Sequence, residues 1–252
     1  MDDTTIGKVW AAIVEDYCCL GITYASDTLP ALSGLAQRLD VLQPGRYIAG
    51  LWETDLAFLL KWSIQTECEA IFPRAKIDGL TFSWITVSGA VRWPDGKMHK
   101  SYCSLESVQS KLASQNPYGP LKSCEIGLRS RILHSAVYTT LIDEAIANWV
   151  HRDLNFAMVK ILLDEQALTD VDAYTNKIVG HWKYARRTWD DVICLELYHE
   201  AEHDEGFGNG AEALFLHKKG DEEGVYTRIG TMSYGLVSWF QEHGVEDVVT
   251  IV

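Results

Sequence analysis

Between Asp27 and Trp62 the apolar positions form two helical faces with a break between them. Leu29, Leu32, Leu35, Ala36 and Leu39 recur at steps of three and four, which is one face of an amphipathic helix. Asp27 and Thr28 stand where an N-cap belongs, and Pro30 suits a first turn whose N–H groups have no partner within the helix. Gln43-Pro44-Gly45-Arg46 interrupts the pattern, Tyr47 to Trp52 reads as a short apolar hinge, and Leu56, Leu59, Leu60 and Trp62 resume a helical face. The stretch predicts two short helices folded over a tight connector. Upstream, Ile6, Val9, Trp10, Ile13, Val14 and Tyr17 predict a first helix packed against that pair.

Further along, the period shortens. Leu80 to Arg92 is β-branched and aromatic, broken at Ser88-Gly89, and predicts a hairpin; Trp93 to Lys97 predicts a turn and Ser114 to Pro120 a loop. Arg131 to Thr140 and Phe156 to Leu163 read as strands, with Leu141 to Val150 helical between them. Val192 to Tyr198 alternates at Ile193, Leu195 and Leu197. Ala211 to His217 and Val225 to Met232 form a strand pair across the charged loop Lys218 to Gly224. A short helix over Gly235 to His243 and a last strand over Glu246 to Val252 follow. Helices precede strands, so the expected class is α+β: N-terminal helices packed against a mainly antiparallel C-terminal sheet or sandwich. A soft boundary near Phe72 to Gly79 separates a helical region, 1–78, from a mainly β region, 79–252.

The wording of the first region is more specific than its packing pattern. Trp10, a transposed Thr23-Tyr24, the run from Asp27 through Gly34 to Ala36, Tyr47 to Trp52 and Leu59-Leu60-Lys61-Trp62 stand in one order. That order resembles the segment of fungal heterokaryon-incompatibility proteins reading D-x-L-x-A-L-S-G-L-A, Y-x-A-G-L-W and L-L-x-W. Thr81-Phe82-Ser83-Trp84 is similar to the family's S-W-S-W strand, with Phe82 in place of the first Trp. Val225 to Gly230, containing Arg228 and Gly230, with Val248 to Val252, is similar to its closing R-x-G strand and apolar tail. The family's tryptophan-glycine and Arg-x-Trp-Thr-x-Gln-Glu signatures have no counterpart, so the expectation is the region downstream of the signalling domain, or a truncated member. The resemblance implies a role in nonself recognition and cell-death signalling through contacts with a protein partner, in the cytoplasm. It transfers no catalytic residue and no cofactor. The matched residues Asp27, Gly34, Tyr47, Gly50, Leu51, Trp52, Trp84, Arg228 and Gly230 are expected to pack and to turn the chain.

Composition narrows the function classes. A chain of 252 residues that is 47% apolar and contains nine Trp can bury a large core. No run is long enough to span a bilayer, and the acidic N-terminus lacks a signal-peptide pattern. The six cysteines, Cys18, Cys19, Cys68, Cys103, Cys124 and Cys194, show no paired spacing and read as reduced thiols. Of the net charge of −13, most lies between Thr188 and Gly224, which holds eleven acids and two lysines. Such a surface repels phosphate backbones and disfavours nucleic acid; the plain reading is a solvated acidic loop, and a domain docking a basic partner through that face is a further one.

Within that segment His199-Glu200-Ala201-Glu202-His203 is a literal H-E-x-x-H. On a helix the two imidazoles share a face and ligate zinc, with Glu200 as base for a metal-bound water. Gly206 continues the register, but Asn209 occupies the third-ligand position and is a poor zinc ligand; Glu222 or Glu223 would have to substitute. The alternation before His199 places it at a strand end, and Gly206, Gly208 and Gly210 oppose a helix after it. A zinc-dependent peptidase or hydrolase on His199, Glu200 and His203 is therefore the alternative function, and a non-enzymatic chain without a metal the primary one. Gly206-x-Gly-x-x-Ala211 imitates a dinucleotide fingerprint but is followed by a β-like run. Cys103 near His99, Ser135 beside His134, and the carboxylates Asp78, Asp143-Glu144 and Asp164-Glu165 fit no catalytic frame. Arg186-Arg187 among Trp182, Tyr184 and Trp189 reads as an internal contact.

Overall fold

Thr5 starts helix α1 (Ile6–Cys19) by accepting the Lys8 N–H on its side chain, and Trp10, Ala11, Val14 and Cys18 turn one face inward. The computed structural model describes residues 5–20, 23–64, 80–87, 89–94, 98–142, 144–151, 160–163, 177–179, 182–184, 186–200 and 210–252. A 3-10 turn (Ala25–Asp27) leads into α2 (Thr28–Asp40), which buries Thr28, Leu29, Leu32 and Ala36. Asp27 is the N-cap residue by position, yet its carboxylate makes no capping bond and instead accepts from the Ser26 hydroxyl at 3.1 Å.

The apolar hinge is a β-hairpin: β1 (Tyr47–Ile48) pairs with β2 (Leu51–Trp52) in the register Tyr47↔Trp52 and Ile48↔Leu51. Its central residues Ala49 and Gly50 have φ of 49° and 89°, the positive pair a two-residue hairpin turn demands. The helix after it, α3 (Leu56–Leu59), is a single turn, shorter than the Leu56 to Trp62 face predicts. β3 (Ser63–Ile64) then pairs with β4 (Val91–Arg92). This corrects the hairpin expected over Leu80 to Arg92. Phe82 to Thr86 are consecutively buried and wind into a 3-10 turn (Trp84–Thr86), because two-sided burial and the anchoring of Trp84 leave no alternating face to present.

The remainder is a nine-stranded sheet. β5 (Met98–Ser101) and β6 (Ser104–Leu112) precede the long β7 (Leu121–Ile142), and β8 (Glu144–His151) folds back on it. The described residues of Leu141 to Val150 are thus strand, not helix: pairing from Ser135↔His151 to Ile142↔Glu144 supplies backbone partners that override a helical local pattern. β9 (Lys160–Leu163) lies along the later strand Val225–Leu236, and β10 (Lys177–Val179) with β11 (Trp182–Tyr184) forms a separate hairpin. β12 (Arg186–Glu200), β13 (Gly210–Lys218), β14 (Val225–Leu236), α4 (Val237–His243) and β15 (Val245–Ile251) complete the chain, close to the sequence reading. β12 pairs with β13, β13 with β14, β14 with β15, β15 with β7, and β7 with β12, so the pairings close into a circuit. Among these, β14–β15 is parallel and the others antiparallel; α4 provides the crossover.

β12 and β13 are apolar on both faces. Ile193, Leu195, Leu214 and Leu216 join a core that continues into Trp10, Leu32, Trp52, Trp62 and Trp84. Val192, Cys194, Ala213 and Phe215 join a second core closed by Trp239 and Phe240 of α4. The architecture is α+β, with one core drawing on residues before and after the expected boundary; Phe72 to Gly79 itself lies outside the described residues. No helix among the described residues is long and apolar enough to cross a membrane.

Candidate functional site

Of the residues singled out in the sequence, Trp10, Tyr47, Gly50, Leu51, Trp52 and Trp84 gather around the Ala49-Gly50 turn. The Gly50 carbonyl accepts two indole N–H bonds, from Trp10 at 2.8 Å and Trp84 at 3.0 Å, while the Ser83 hydroxyl donates to the Ala49 carbonyl. Gly50 is required twice over: its φ is positive, and a Cβ there would stand 2.9 Å from Trp84 Nε1. Tyr47 and Trp52 pack edge to face at 4.9 Å between ring centroids, with Tyr118 of the β6–β7 loop 5.5 Å from Tyr47. Burial pushes the Tyr47 phenol well above its ordinary range, so it stays protonated. Leu51 is fully buried. Gly34, by contrast, sits on α2 with open space where a side chain would go, and no contact demands a glycine there.

Arg228 and Lys61 join this unit to the sheet. The Arg228 guanidinium lies 3.4 Å over the Trp62 ring and donates to the carbonyls of Leu60 and Trp62, at 2.8 and 2.6 Å. These carbonyls follow a one-turn helix and have no helical partner, so the arginine acts as its remote C-cap. Gly230, two residues on, lies in β14 opposite Phe215 and Leu163. Lys61, the unspecified position of L-L-x-W, points the other way. Its Nζ meets Glu212 Oε2 at 2.7 Å, both side chains only 1% exposed, and donates to the Met232 carbonyl and Ser233 hydroxyl. Three acceptors answer three ammonium N–H bonds. Nothing in the sequence marks this pair, which is 151 residues apart by numbering.

The H-E-x-x-H motif begins in a strand. His199 and Glu200 are the last residues of β12, and the helix that zinc ligation by i and i+4 imidazoles requires is not formed at these positions. His203 and Asn209 lie outside the described residues. The His199 ring is used otherwise: Nε2–H donates to Glu196 Oε1 at 2.7 Å. Three residues apart on a regular strand would face opposite ways, but a bulge between Glu196 and Tyr198 resets the alternation and brings both to one side. Arg131 of β7 donates to the same buried carboxylate through Nε at 2.6 Å and Nη2 at 2.9 Å. Tyr102 stacks on His199 at 4.2 Å, with Arg131 and Lys100 4.5 and 4.6 Å from its ring centre. A zinc ion at Nε2 would have to displace the bond to Glu196. Among the described residues no group of three or more His, Cys, Asp and Glu side chains is placed to hold a metal.

The acidic segment is therefore not one solvated face. Glu196 and Glu212 belong to it and are both fully buried, answered by Arg131, His199 and Lys61. Asp221, Glu222 and Glu223 do lie exposed between β13 and β14. The Gly206 to Ala211 fingerprint opens strand β13 and not a helix, so its phosphate-binding geometry is missing at Gly210 and Ala211; Gly206 and Gly208 lie outside the described residues. Arg186-Arg187 opens β12 in register with Thr140 and Thr139. His134 and Ser135 lie in β7 and His99 in β5. Burial pushes the Cys103 and Cys124 thiols up to about 12, which leaves them protonated and poor nucleophiles. The five described cysteines are free thiols; Cys68, like Asp78, Asp143 and Asp164-Glu165, lies outside the described residues.

No family model, no curated protein and no solved structure matches this chain.

Proposed function

We propose that the chain acts through protein contacts, without chemistry of its own, in the manner of fungal heterokaryon-incompatibility proteins. Its role would then be nonself recognition and cell-death signalling in the cytoplasm, with a protein partner and with neither nucleic acid nor membrane as ligand. One observation supports the reading. Trp10 and Trp84, distant from each other along the chain, meet the hairpin residues Tyr47, Gly50, Leu51 and Trp52 at a single turn. Residues read as matching that family's wording are thus among those on which the helical unit is built, and this supports the reading. His199, the first imidazole of the H-E-x-x-H motif, is engaged in an internal bond to Glu196.

The test is expression of the tagged chain in a filamentous fungus, with hyphal death scored after fusion to unlike strains. Death or fusion arrest that requires the chain and disappears with Gly50→Val supports the reading. Unchanged fusion, together with cleavage of a peptide library that Glu200→Ala and EDTA abolish, would replace it with the zinc hydrolase built on His199, Glu200 and His203.

A further inference from the structure

We infer that the cleft between the turn Glu53–Ala57 and the β5–β6 connection is a binding site for a small alkylammonium group. The cleft has a volume of about 170 Å³, and Thr54, Asp55, Leu56, Ser101, Ser104 and Leu105 are among its walls. At about 30 Å³ per water this is room for roughly five or six non-hydrogen atoms. Among the described residues the walls include two carboxylates and no Lys, Arg or His.

The two carboxylates differ. Glu53 is gripped by Arg46, Nε to Oε2 at 2.9 Å and Nη2 to Oε1 at 3.0 Å, which holds its carboxyl below the usual range. Asp55 is 8% exposed, and among the described residues no cation pairs with it. Its Oδ2 accepts the Gly7 N–H of α1 at 2.6 Å, and among the described residues this is the one hydrogen bond its side chain makes. A carboxylate this enclosed is best matched by a positive donor, and an ammonium supplies a charge-assisted bond. The hydroxyls of Thr54, Ser101 and Ser104 offer acceptors for the remaining ammonium N–H bonds, and Leu56, Ala57 and Leu105 flank the space an alkyl stem would fill. A hard divalent cation needs six or more oxygen ligands, more than this cleft presents from its carboxylates. The Cys103 thiol, protonated because burial pushes it up to about 12, adds no competing charge. A free amine and a lysine side chain of a peptide present the same chemistry.

The test is a heteronuclear NMR titration of the full chain at neutral pH with n-butylamine, with n-butanol as the neutral isostere, and with the peptide Gly-Gly-Lys-Gly-Gly. The expected result is saturable binding of n-butylamine, about tenfold or more tighter than n-butanol. Amide shifts should be confined to Thr54–Ala57 and Ser101–Leu105. Ser104→Leu, on an exposed position that leaves the Asp55–Gly7 bond in place, should abolish binding, and Asp55→Asn should remove the preference for amine over alcohol. Should Asp55→Asn fail to fold, Ser104→Leu decides alone. Peptide binding at least as tight as n-butylamine assigns the site to a protein lysine; weaker peptide binding assigns it to a free amine. Equal affinity for amine and alcohol, shifts elsewhere, or unchanged binding in Ser104→Leu would overturn the inference. None of these outcomes depends on the proposed role in nonself recognition.

Discussion

A lysine and a glutamate with side chains 1% exposed are placed side by side where the helical unit meets the sheet. The Coulombic gain in such a pair is offset by desolvation, so its main consequence is what happens when one member is lost. Lys61→Ala leaves the Glu212 carboxylate unanswered and is expected to cost about 3–5 kcal/mol in chemical denaturation. The double variant Lys61→Met/Glu212→Leu should cost less than either single change, because it removes both charges; a strictly additive cycle would refute the coupling. Gly50 presents the opposite constraint, one of space and backbone. Gly50→Val combines a β-branched residue at φ 89° with a clash against Trp84, so a loss of about 3 kcal/mol or more is expected. Gly34→Ala, inside α2 and facing open space, should stabilise by about 0.5–1 kcal/mol in the same denaturation series. Sequence reading treated the two glycines alike as matched positions; only the contacts separate them.

Elements in this chain are held by partners far away in sequence. α1 begins under Asp55, α3 ends under Arg228, and the hairpin β1–β2 hangs from two tryptophans and a serine. The same hairpin is braced on its outside by Arg46 and Glu53, whose side chains are 54% and 32% exposed. A pair this open contributes under about 1 kcal/mol. Its pH dependence has a definite sign. The hydrogen bonds from Arg46 lower the Glu53 pKa from 4.5, so its contribution is present above 4.5 and is lost as pH falls through the lower, folded value. Arg46→Ala should therefore destabilise by a few tenths to about 1 kcal/mol at neutral pH and by nothing measurable once Glu53 is protonated in wild type. Thermal melts of both proteins across that range read the convergence. At this scale α1, α2, α4 and β12 to β15 were legible from their spacing, since amphipathic periodicity is local. β8 was not, because a strand formed by folding back on β7 draws its hydrogen-bond partners from outside its own window.

At the scale of the whole chain, the closed circuit of β7, β12, β13, β14 and β15 and the core running from Trp10 to Ile251 predict one cooperative unit. The terminal residue takes part: the Val252 carbonyl accepts from both the hydroxyl and the N–H of Thr81, and Thr81 Oγ1 in turn receives the Arg228 N–H. Near-ultraviolet signals, from tryptophans on both sides of residue 78, and far-ultraviolet signals, from helices and sheet together, are expected to melt in coincident single transitions. Separated transitions would show that the units before and after the expected boundary near residue 78 are independent domains. Lys61, Arg228 and Thr81 are the residues through which that coupling would pass, so Lys61→Ala should shift both curves together.

What the amino-acid order determines by itself is the class and most of its pieces: helices first, strands after, and a large aromatic core. These follow from spacing, turn chemistry and composition, all of which act over a few neighbouring residues. Tertiary structure alone decided which charges are buried, and with whom. The eleven acids between Thr188 and Gly224 look like one solvated run, yet Glu196 and Glu212 are drawn inside because Arg131, His199 and Lys61 arrive there from other elements. The motif at His199 shows the same division. Its letters permit a zinc helix, but β12 continues through Glu200 because β13 and β5 lie on either side to complete its backbone hydrogen bonds. Local pattern sets what a segment can be, and the partners the fold brings to it select among those states.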